Sequence, residues 1–153
     1  MKRKAWMAAG VAAALGAGVA LSSIAQVKPD VMVKQRQAVM TLQGKYFGPI
    51  AAMAQGKIPY NADIVARNAG YLESLSRMAW DGFDPSTEGV KSAALPEVFK
   101  EPAKFKEAAE RLETEAAKLA VAARAKDEAG VKAQFGAVGK ACGGCHESFR
   151  QKQ

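Results

Sequence analysis

The stretch VKAQFGAVGKACGGCHESF, residues 131–149, decides the fold of this chain. Its apolar residues recur at alternating steps of four and three, which is the spacing of one face of an α-helix. These residues are Val131, Phe135, Val138, Cys142, Cys145 and Phe149. Because an apolar helix face turns toward a hydrophobic core, whatever the two cysteines hold is expected to be inserted there.

A helix with the same spacing is predicted just upstream. It opens with Pro102, which is well suited to the first position of a helix. Its apolar residues are Phe105, Ala109, Leu112, Ala116, Leu119 and Ala123. Two seams this regular favour coiled-coil-like packing of the helices in a bundle.

Two more helices are predicted nearer the N-terminus, over about residues 29–55 and 62–80. The stripe of the first comprises Val39, Leu42, Tyr46, Ile50 and Met53, widened by Met32, Met40 and Phe47. The stripe of the second comprises Val65, Leu72, Leu75 and Ala79, with Asn61 as its N-cap. A loop with Gly and Pro follows over residues 81–101 and contains one helical turn at 96–100. Since the sequence has no strand-like alternation, the predicted fold class is all-α, an antiparallel four-helix bundle.

The first 25 residues differ from the rest of the chain. Lys2, Arg3 and Lys4 precede an apolar run rich in Ala and Gly, which ends near the small residues Ser23 and Ala25. This pattern predicts a secretory signal peptide over residues 1–25, cleaved before Gln26, and a single domain over 26–153. The run is short and weakly hydrophobic for a membrane span, so no membrane anchor is expected after cleavage, and the mature protein is expected in the periplasm.

The charge balance does not indicate a nucleic-acid partner. The whole chain has 22 basic and 15 acidic residues, and loss of Lys2, Arg3 and Lys4 leaves 19 basic residues and a formal charge of +4. Charges of both signs alternate along the predicted helices. Such a mixed surface is typical of solvated helices, so no nucleic acid is expected to bind.

The residues that carry chemistry are Cys142-Gly143-Gly144-Cys145-His146, the attachment pattern for a c-type haem. Residues three apart on a helix point the same way, so both thiols can reach the two vinyl groups of one porphyrin. His146 lies four residues after Cys142, and its imidazole can therefore reach the iron as the proximal ligand. The motif predicts one covalent haem c with His146 as its iron ligand.

Other readings of this motif are weaker. A thioredoxin-like pair requires a strand–helix context, and a structural zinc site requires about four ligands where this chain has two Cys and one His. A plain disulfide would leave the adjacent His without a role. Seven residues follow His146, too few to cross the haem, so a sixth ligand would come from an earlier helix.

On these residues the chain resembles the cytochromes c′, which are four-helix-bundle c-type cytochromes. The resemblance covers the whole mature chain and includes the C-terminal CGGCH, the Arg36-Gln37 pair and the loop with Pro before the third helix. It implies that Arg36 meets a haem propionate beside Gln37. It also implies that Arg150 lies beside the proximal ligand, and that Trp80 is an aromatic residue close to the haem or a packing residue.

Met40 matches the family position that faces the distal side of the iron. The resemblance implies that an apolar residue there crowds the distal face, which leaves a five-coordinate, high-spin iron. The alternative is a low-spin cytochrome of the c-556 type with a methionine ligand, acting purely as an electron carrier. In such proteins the ligating methionine lies further along the helix, nearer Gln43 of this chain. Crowding by Met40 is therefore the favoured interpretation.

Two functions follow from this reading. The haem exchanges one electron with a redox partner protein, which the sequence does not identify, and an open iron behind an apolar wall admits the diatomic gases NO and CO. The distal side offers no His and no acid–base group placed to cleave an O–O bond, so the chain is not expected to be an enzyme. A homodimer through the first two helices is expected from the resemblance and from the apolar Met32, Val33, Phe47 and Tyr71.

Overall fold

The computed structural model describes residues 27–152, so the predicted signal peptide at 1–25 lies outside the described residues. Its helices are α1 (Pro29–Ala54), α2 (Ala62–Leu75), α3 (Glu97–Lys100), α4 (Pro102–Arg124) and α5 (Glu128–Phe149). Over 27–152 the structure contains no strand, and a single antiparallel β-bridge joins Ala94 to Arg150. The predicted all-α, antiparallel four-helix bundle is confirmed, with α3 as the predicted short turn. Within the same range, none of the helices is both long and apolar enough to cross a membrane.

The core lies where α4 packs on α2 and α5, and where α1 packs on α2. Its largest fully buried apolar side chains are Ile50, Val65, Leu72, Leu119, Val131 and Val138. The predicted seams of α4 and α5 are buried or half-buried throughout, as their spacing requires. The predicted cap Asn61 is confirmed, since its Oδ1 accepts the N–H of Ile64 at 3.0 Å. At the start of α5, Asp127 Oδ1 accepts the N–H of Gly130 at 2.9 Å.

The second helix is shorter than predicted. It ends at Leu75, and residues up to Trp80 form turns before a 3₁₀ turn at Trp80–Phe83. The amide of Gln43 on α1 donates to the carbonyl of Leu75 at 2.9 Å, and the Ser76 hydroxyl donates to the carbonyl of Glu73 at 2.8 Å. Both side chains therefore bond to carbonyl groups at the end of α2. Residues 76–96, which follow α2, are called the connecting segment.

The predicted stripe of α1 is wrong over its first half. Leu42 is 37% exposed, whereas the polar residues Arg36 and Gln43 are 3% and 7% exposed. The buried side of α1 runs through Val33, Arg36, Gln43, Ile50 and Met53. Polar side chains occupy this side because their hydrogen-bonding groups reach atoms of α2 and of the connecting segment.

Candidate functional site: a haem cavity

A cavity of about 550 Å³ is lined by side chains of α1, α2, α4 and α5 and by the connecting segment. This volume is in the range of a cofactor pocket, roughly 300–1,000 Å³. All eight residues predicted for the site line it: Arg36, Gln37, Met40, Trp80, Cys142, Cys145, His146 and Arg150. Residues separated by more than a hundred positions in the chain are thus brought to one site.

The two cysteines and the histidine are presented by the last turns of α5. Burial raises the pKa of Cys142, and burial followed by the proximity of Cys142 raises the pKa of Cys145 to about 11. Burial therefore favours the neutral form of both thiols while no group is bound to them. In residues 27–152 no cluster of His, Cys, Asp and Glu is arranged to hold a metal ion. The geometry fits thioether attachment of a cofactor better than a zinc site.

His146 is set up as a neutral imidazole. Burial, and then the positive charge of Arg150, lowers the pKa of His146 below its usual value. The neutral ring is the form that ligates a metal through a nitrogen lone pair. His146 and the two cysteines line the same cavity, as the helical spacing predicts.

Arg36 is the most buried charge in this site. Its Nη1 donates to the carbonyl of Gly82 at 2.6 Å and to Thr87 Oγ1 at 3.0 Å, and its Nη2 donates to Ser92 Oγ at 3.0 Å. Its guanidinium carbon lies 4.2 Å from the ring centroid of Phe83, and burial lowers the pKa of Arg36. None of the ion pairs within the described part of the chain involves Arg36.

This arrangement leaves Arg36 ready for an anion. Arginine has five N–H groups, and those three bonds leave two without a partner among residues 27–152. A buried guanidinium keeps its charge and requires a compensating negative group. A haem propionate in the cavity would supply this carboxylate, so the residues present fit the cofactor.

An aromatic cluster forms one side of the cavity. Phe105 lies at its centre, with ring centroids 4.7 Å from Phe83, 5.2 Å from Phe149 and 5.9 Å from Trp80. All four rings line the cavity, and the indole Nε1 of Trp80 is buried without a hydrogen-bond partner in the described structure. Buried indole N–H groups usually find an acceptor, which again indicates a polar group of a bound molecule.

Met40 lines the cavity from α1, together with Gln37, Thr41 and Gln43. Gln37 and Thr41 are exposed, so they mark the solvent side of the cavity. Gln43 is buried, and its amide nitrogen is engaged by Leu75. At the place where the resemblance puts a ligating methionine, the chain therefore has an amide that is tied to α2.

Arg150 lines the cavity together with His146, and its charge acts on the imidazole. Its N–H donates to the His146 carbonyl one turn back at 3.2 Å, and Arg150 is the C-cap of α5, with extended φ −127° and ψ 138°. The connecting segment captures this end: Leu95 N–H donates to the Phe149 carbonyl at 2.9 Å, and Gln151 N–H donates to the Ala93 carbonyl at 2.8 Å. The helical bond to His146 and the backbone pairing on both sides of Arg150 together hold this residue at the site.

Several site residues were missed from the sequence. Thr87 and Ser92 hold Arg36, and Phe83 lies against its guanidinium, but no periodic pattern marks the connecting segment. Gln43 was considered only as the place of a possible ligand. Its spacing of seven residues from Arg36 was the one available signal, because two helical turns put both on one face.

The fold and the site together define a class: helical-bundle proteins that hold a covalent c-type haem on the last turns of their final helix. The family model described as Cytochrome C' matches residues 31–150. The chain is 39% identical over 126 residues to the cytochrome c' of Rubrivivax gelatinosus, which covers 82% of this chain and 98% of that protein. The chain belongs to the cytochrome c′ family, a haem electron-transfer type, and its cofactor is a covalent c-type haem with histidine ligation.

Solved structures of relatives have the same fold. A nitric oxide complex of a variant cytochrome c prime from Alcaligenes xylosoxidans is 36% identical, with a TM-score of 0.78 over 84% of this chain and 99% of that one. A carbon monoxide complex of another variant of that protein is also 36% identical, with a TM-score of 0.77 over 82% of this chain and 98% of that one.

Proposed function

We propose that this protein is a periplasmic cytochrome c′ that transfers electrons and binds NO or CO at a five-coordinate, high-spin haem iron. Cys142 and Cys145 hold the haem through thioether bonds, and His146 ligates its iron. The observation that carries this proposal is the buried Arg36, which lacks a carboxylate partner among the described residues and lines the same cavity as the CGGCH motif. When bound, the haem supplies one-electron exchange at the iron and an open coordination position.

The propionate end of the site is formed by Arg36, Gln37 and Trp80. Arg36 has two free N–H groups, and the Nε1 of Trp80 is a buried donor without an acceptor in the described structure. A carboxylate accepts such donors well, and a charge-assisted bond to arginine is roughly twice as strong as a neutral one. Gln37 is exposed at the edge of the cavity, where it can donate to the same carboxylate from the solvent side.

The distal side of the iron is covered by Met40. Its flexible, apolar side chain lines the cavity, and Gln43 beyond it is held away by Leu75. Met40 then acts by bulk: it excludes water and anions but yields to a small uncharged gas. Arg150 lies near the proximal side, where its charge already lowers the pKa of His146. His146, the one histidine of the chain, is the proposed iron ligand, so we propose a carrier and not an enzyme.

The visible spectrum tests the iron site. The oxidised and reduced holoprotein is expected to be high-spin, and CO or NO is expected to change the spectrum of the reduced form. Met40→Ala should remain high-spin and bind CO faster and more tightly, because the guard over the iron is smaller. Met78→Ala is the matched control, since Met78 is 59% exposed and lies outside the cavity.

A different result would overturn the distal assignment. If the wild-type protein is low-spin at neutral pH and becomes high-spin only in Met40→Ala, Met40 ligates the iron, and the protein is a methionine-ligated electron carrier. Covalent attachment is tested separately, because acid–acetone extraction of matured protein should leave the haem on the chain. Clean extraction of the haem would refute the roles of Cys142 and Cys145.

A homodimer through α1 and α2 is also proposed. Tyr71 is 48% exposed and Leu42 is 37% exposed, and the Tyr71 ring lies 4.8 Å from the ring of Tyr46. Val33 does not contribute as the sequence implied, because it is 3% exposed, and Phe47 lines the cavity. Exposed aromatic and aliphatic side chains on neighbouring helices support a self-association surface.

Sedimentation at micromolar concentration tests the dimer. The wild-type protein is expected to sediment as two protomers, and Tyr71→Glu is expected to shift it toward one. Val121→Glu is the matched control, because Val121 is 61% exposed and belongs to α4, which is not part of the proposed interface. A single protomer in the wild-type protein would contradict the proposal.

A further inference from the structure

The connecting segment contacts both the α1 and the α5 side of the haem cavity. Toward α1, it supplies all three hydrogen-bond acceptors of the Arg36 guanidinium: the Gly82 carbonyl and the hydroxyls of Thr87 and Ser92. Toward α5, its residues Ala93 and Leu95 bond to the chain around Arg150. The connecting segment thus determines the position of the buried Arg36 guanidinium.

Thr87 is the best-buried of the two hydroxyl residues, with 1% exposure. Its Oγ1 accepts from Arg36 Nη1 at 3.0 Å and donates to the Asp84 carbonyl at 2.7 Å. The backbone turn that presents Thr87 is itself stabilised, because the Asp84 carboxylate accepts the N–H of Ser86 at 2.8 Å. The hydroxyl proton is therefore directed away from Arg36, which leaves an oxygen lone pair for the guanidinium.

Ser92 acts from the other end of the same segment. Its Oγ accepts from Arg36 Nη2 at 3.0 Å and also from the Ala94 N–H at 3.3 Å. Ala94 is the residue that bridges to Arg150, so the position of Ser92 is set by the end of α5. Two hydroxyl oxygens on independently anchored turns thus hold the two terminal nitrogens of one guanidinium.

We propose that Thr87 and Ser92 are positioning residues that fix Arg36 so that its two remaining N–H groups face a haem carboxylate. This inference rests on the proposed function, in which Arg36 binds a propionate. An arginine held before its partner arrives loses less conformational freedom on binding, so the pair is stronger and better oriented. A loosely held guanidinium would sample positions further from the haem.

The reduction potential of the holoprotein tests this role. A positive charge held near the haem favours the reduced, less positive iron, so loosening Arg36 should lower the potential. We expect Thr87→Val to lower the potential, because valine keeps the shape and loses the acceptor. Thr87→Ser, which restores an acceptor oxygen, should return the potential to the wild-type value. Ser92→Ala should also lower the reduction potential. If Thr87→Val does not retain haem, Ser92→Ala is the variant that tests the positioning role.

Two controls separate positioning from mere stability. Ser76 is 0% exposed, its hydroxyl donates to the Glu73 carbonyl, and it does not line the cavity. Ser76→Ala should therefore lower the melting temperature without moving the potential. In an Arg36→Lys background, which lacks the planar fork, Thr87→Val should change the potential by less than half as much as in the wild-type background, because the two residues act as one unit.

The outcomes are distinguishable. A lower melting temperature with an unchanged potential in both Thr87→Val and Ser92→Ala would overturn the positioning role and leave a structural one. An equal change of potential in the wild-type and Arg36→Lys backgrounds would show that Thr87 acts independently of Arg36, and would also overturn it. Failure of the wild-type chain to attach haem, read from its absorption spectrum after extraction, would instead refute the proposed function.

Discussion

The pair α4–α5 and the pair formed by α1 with the connecting segment are built on different interactions. The buried side of α4 contains only alanine and leucine, namely Ala109, Leu112, Ala116, Leu119, Ala120 and Ala123. The buried side of α1 contains Arg36 and Gln43, each bonded to an atom of another element. The α4–α5 interface is specified by the spacing of apolar residues, and the interface of α1 is specified by the hydrogen bonds of its buried polar side chains.

The difference teaches where the haem site comes from. Apolar packing is non-directional, so a regular spacing is enough to align α4 with α5 and to bring the cysteines inside. A buried guanidinium requires acceptors at fixed distances and angles, so α1 is aligned by the connecting segment it binds. The polar contacts of α1 border the cofactor cavity on one side, and the apolar α4–α5 pair borders it on another and carries the cysteines.

Replacement of both Cys142 and Cys145 by Ala should have the largest effect. Without the haem, the cavity of about 550 Å³ loses its filling and Arg36 loses its proposed counter-charge. We expect the apoprotein to lose cooperative thermal unfolding, measured by far-UV circular dichroism. A sharp transition near that of the holoprotein would show that the apolar interface alone specifies the fold.

The same substitution in the two interfaces gives the next largest effect. Leu119→Ala removes a side chain that is 0% exposed on α4, and we expect it to lower the free energy of unfolding by about 2–5 kcal/mol. Leu42→Ala, at a site on α1 that is 37% exposed in the protomer, should cost less than about 1 kcal/mol at protein concentrations where the proposed dimer is dissociated. Denaturant unfolding of both holoproteins measures the difference. Equal costs would mean that the apolar spacing of α1, and not Arg36 and Gln43, marks its packed side.

Gly82→Ala tests how closely the connecting segment must approach α1. A Cβ at residue 82 would lie 2.7 Å from Arg36 Cβ and 2.9 Å from the Met32 carbonyl oxygen, so the backbone would have to move. We expect a loss of about 1–3 kcal/mol in the free energy of unfolding, together with weaker haem retention. The matched control is Gly89→Ala in the same segment, where a Cβ meets no atom within 4 Å. If both variants are equally stable, the close approach is not required.

The smallest effect concerns Glu115 on α4, which is hydrogen-bonded to Gln134 on α5. This carboxylate accepts from Lys118 at 2.8 Å and from the Gln134 amide, and these bonds lower the pKa of Glu115. A lowered folded-state pKa stabilises the protein above the unfolded-state pKa, and this contribution is lost as the pH falls through the folded-state pKa.

Glu115→Gln should therefore reduce the acid sensitivity of the melting temperature slightly, when values at about pH 7 and about pH 3 are compared. Glu88→Gln is the control, since Glu88 is exposed in the connecting segment and belongs to none of the ion pairs found in residues 27–152. An identical response to acid in both variants would show that the Glu115 contacts do not contribute to the stability of the holoprotein.

Sequence reasoning predicted most of the helical framework. Pro102 begins α4, Asn61 caps α2, and both regular seams lie inside the bundle. It failed at the end of α2 and on the face of α1, for one reason. At both places a polar side chain, Gln43 or Arg36, bonds to an element distant in sequence, and periodicity does not describe such bonds.

The sequence by itself determined the chemistry that α5 carries. In CGGCH the two cysteines have the spacing for haem attachment, and His146 follows Cys142 by one helical turn. Both spacings are local properties of the chain. Only the tertiary structure decided what surrounds that chemistry. The acceptors of Arg36 lie 46 to 56 residues away from it, and the chain around Arg150 pairs with Ala93 and Leu95 of the connecting segment. Directional bonds between distant residues exist only once the chain is folded, whereas the spacing of apolar residues and cysteines is already present in the unfolded chain.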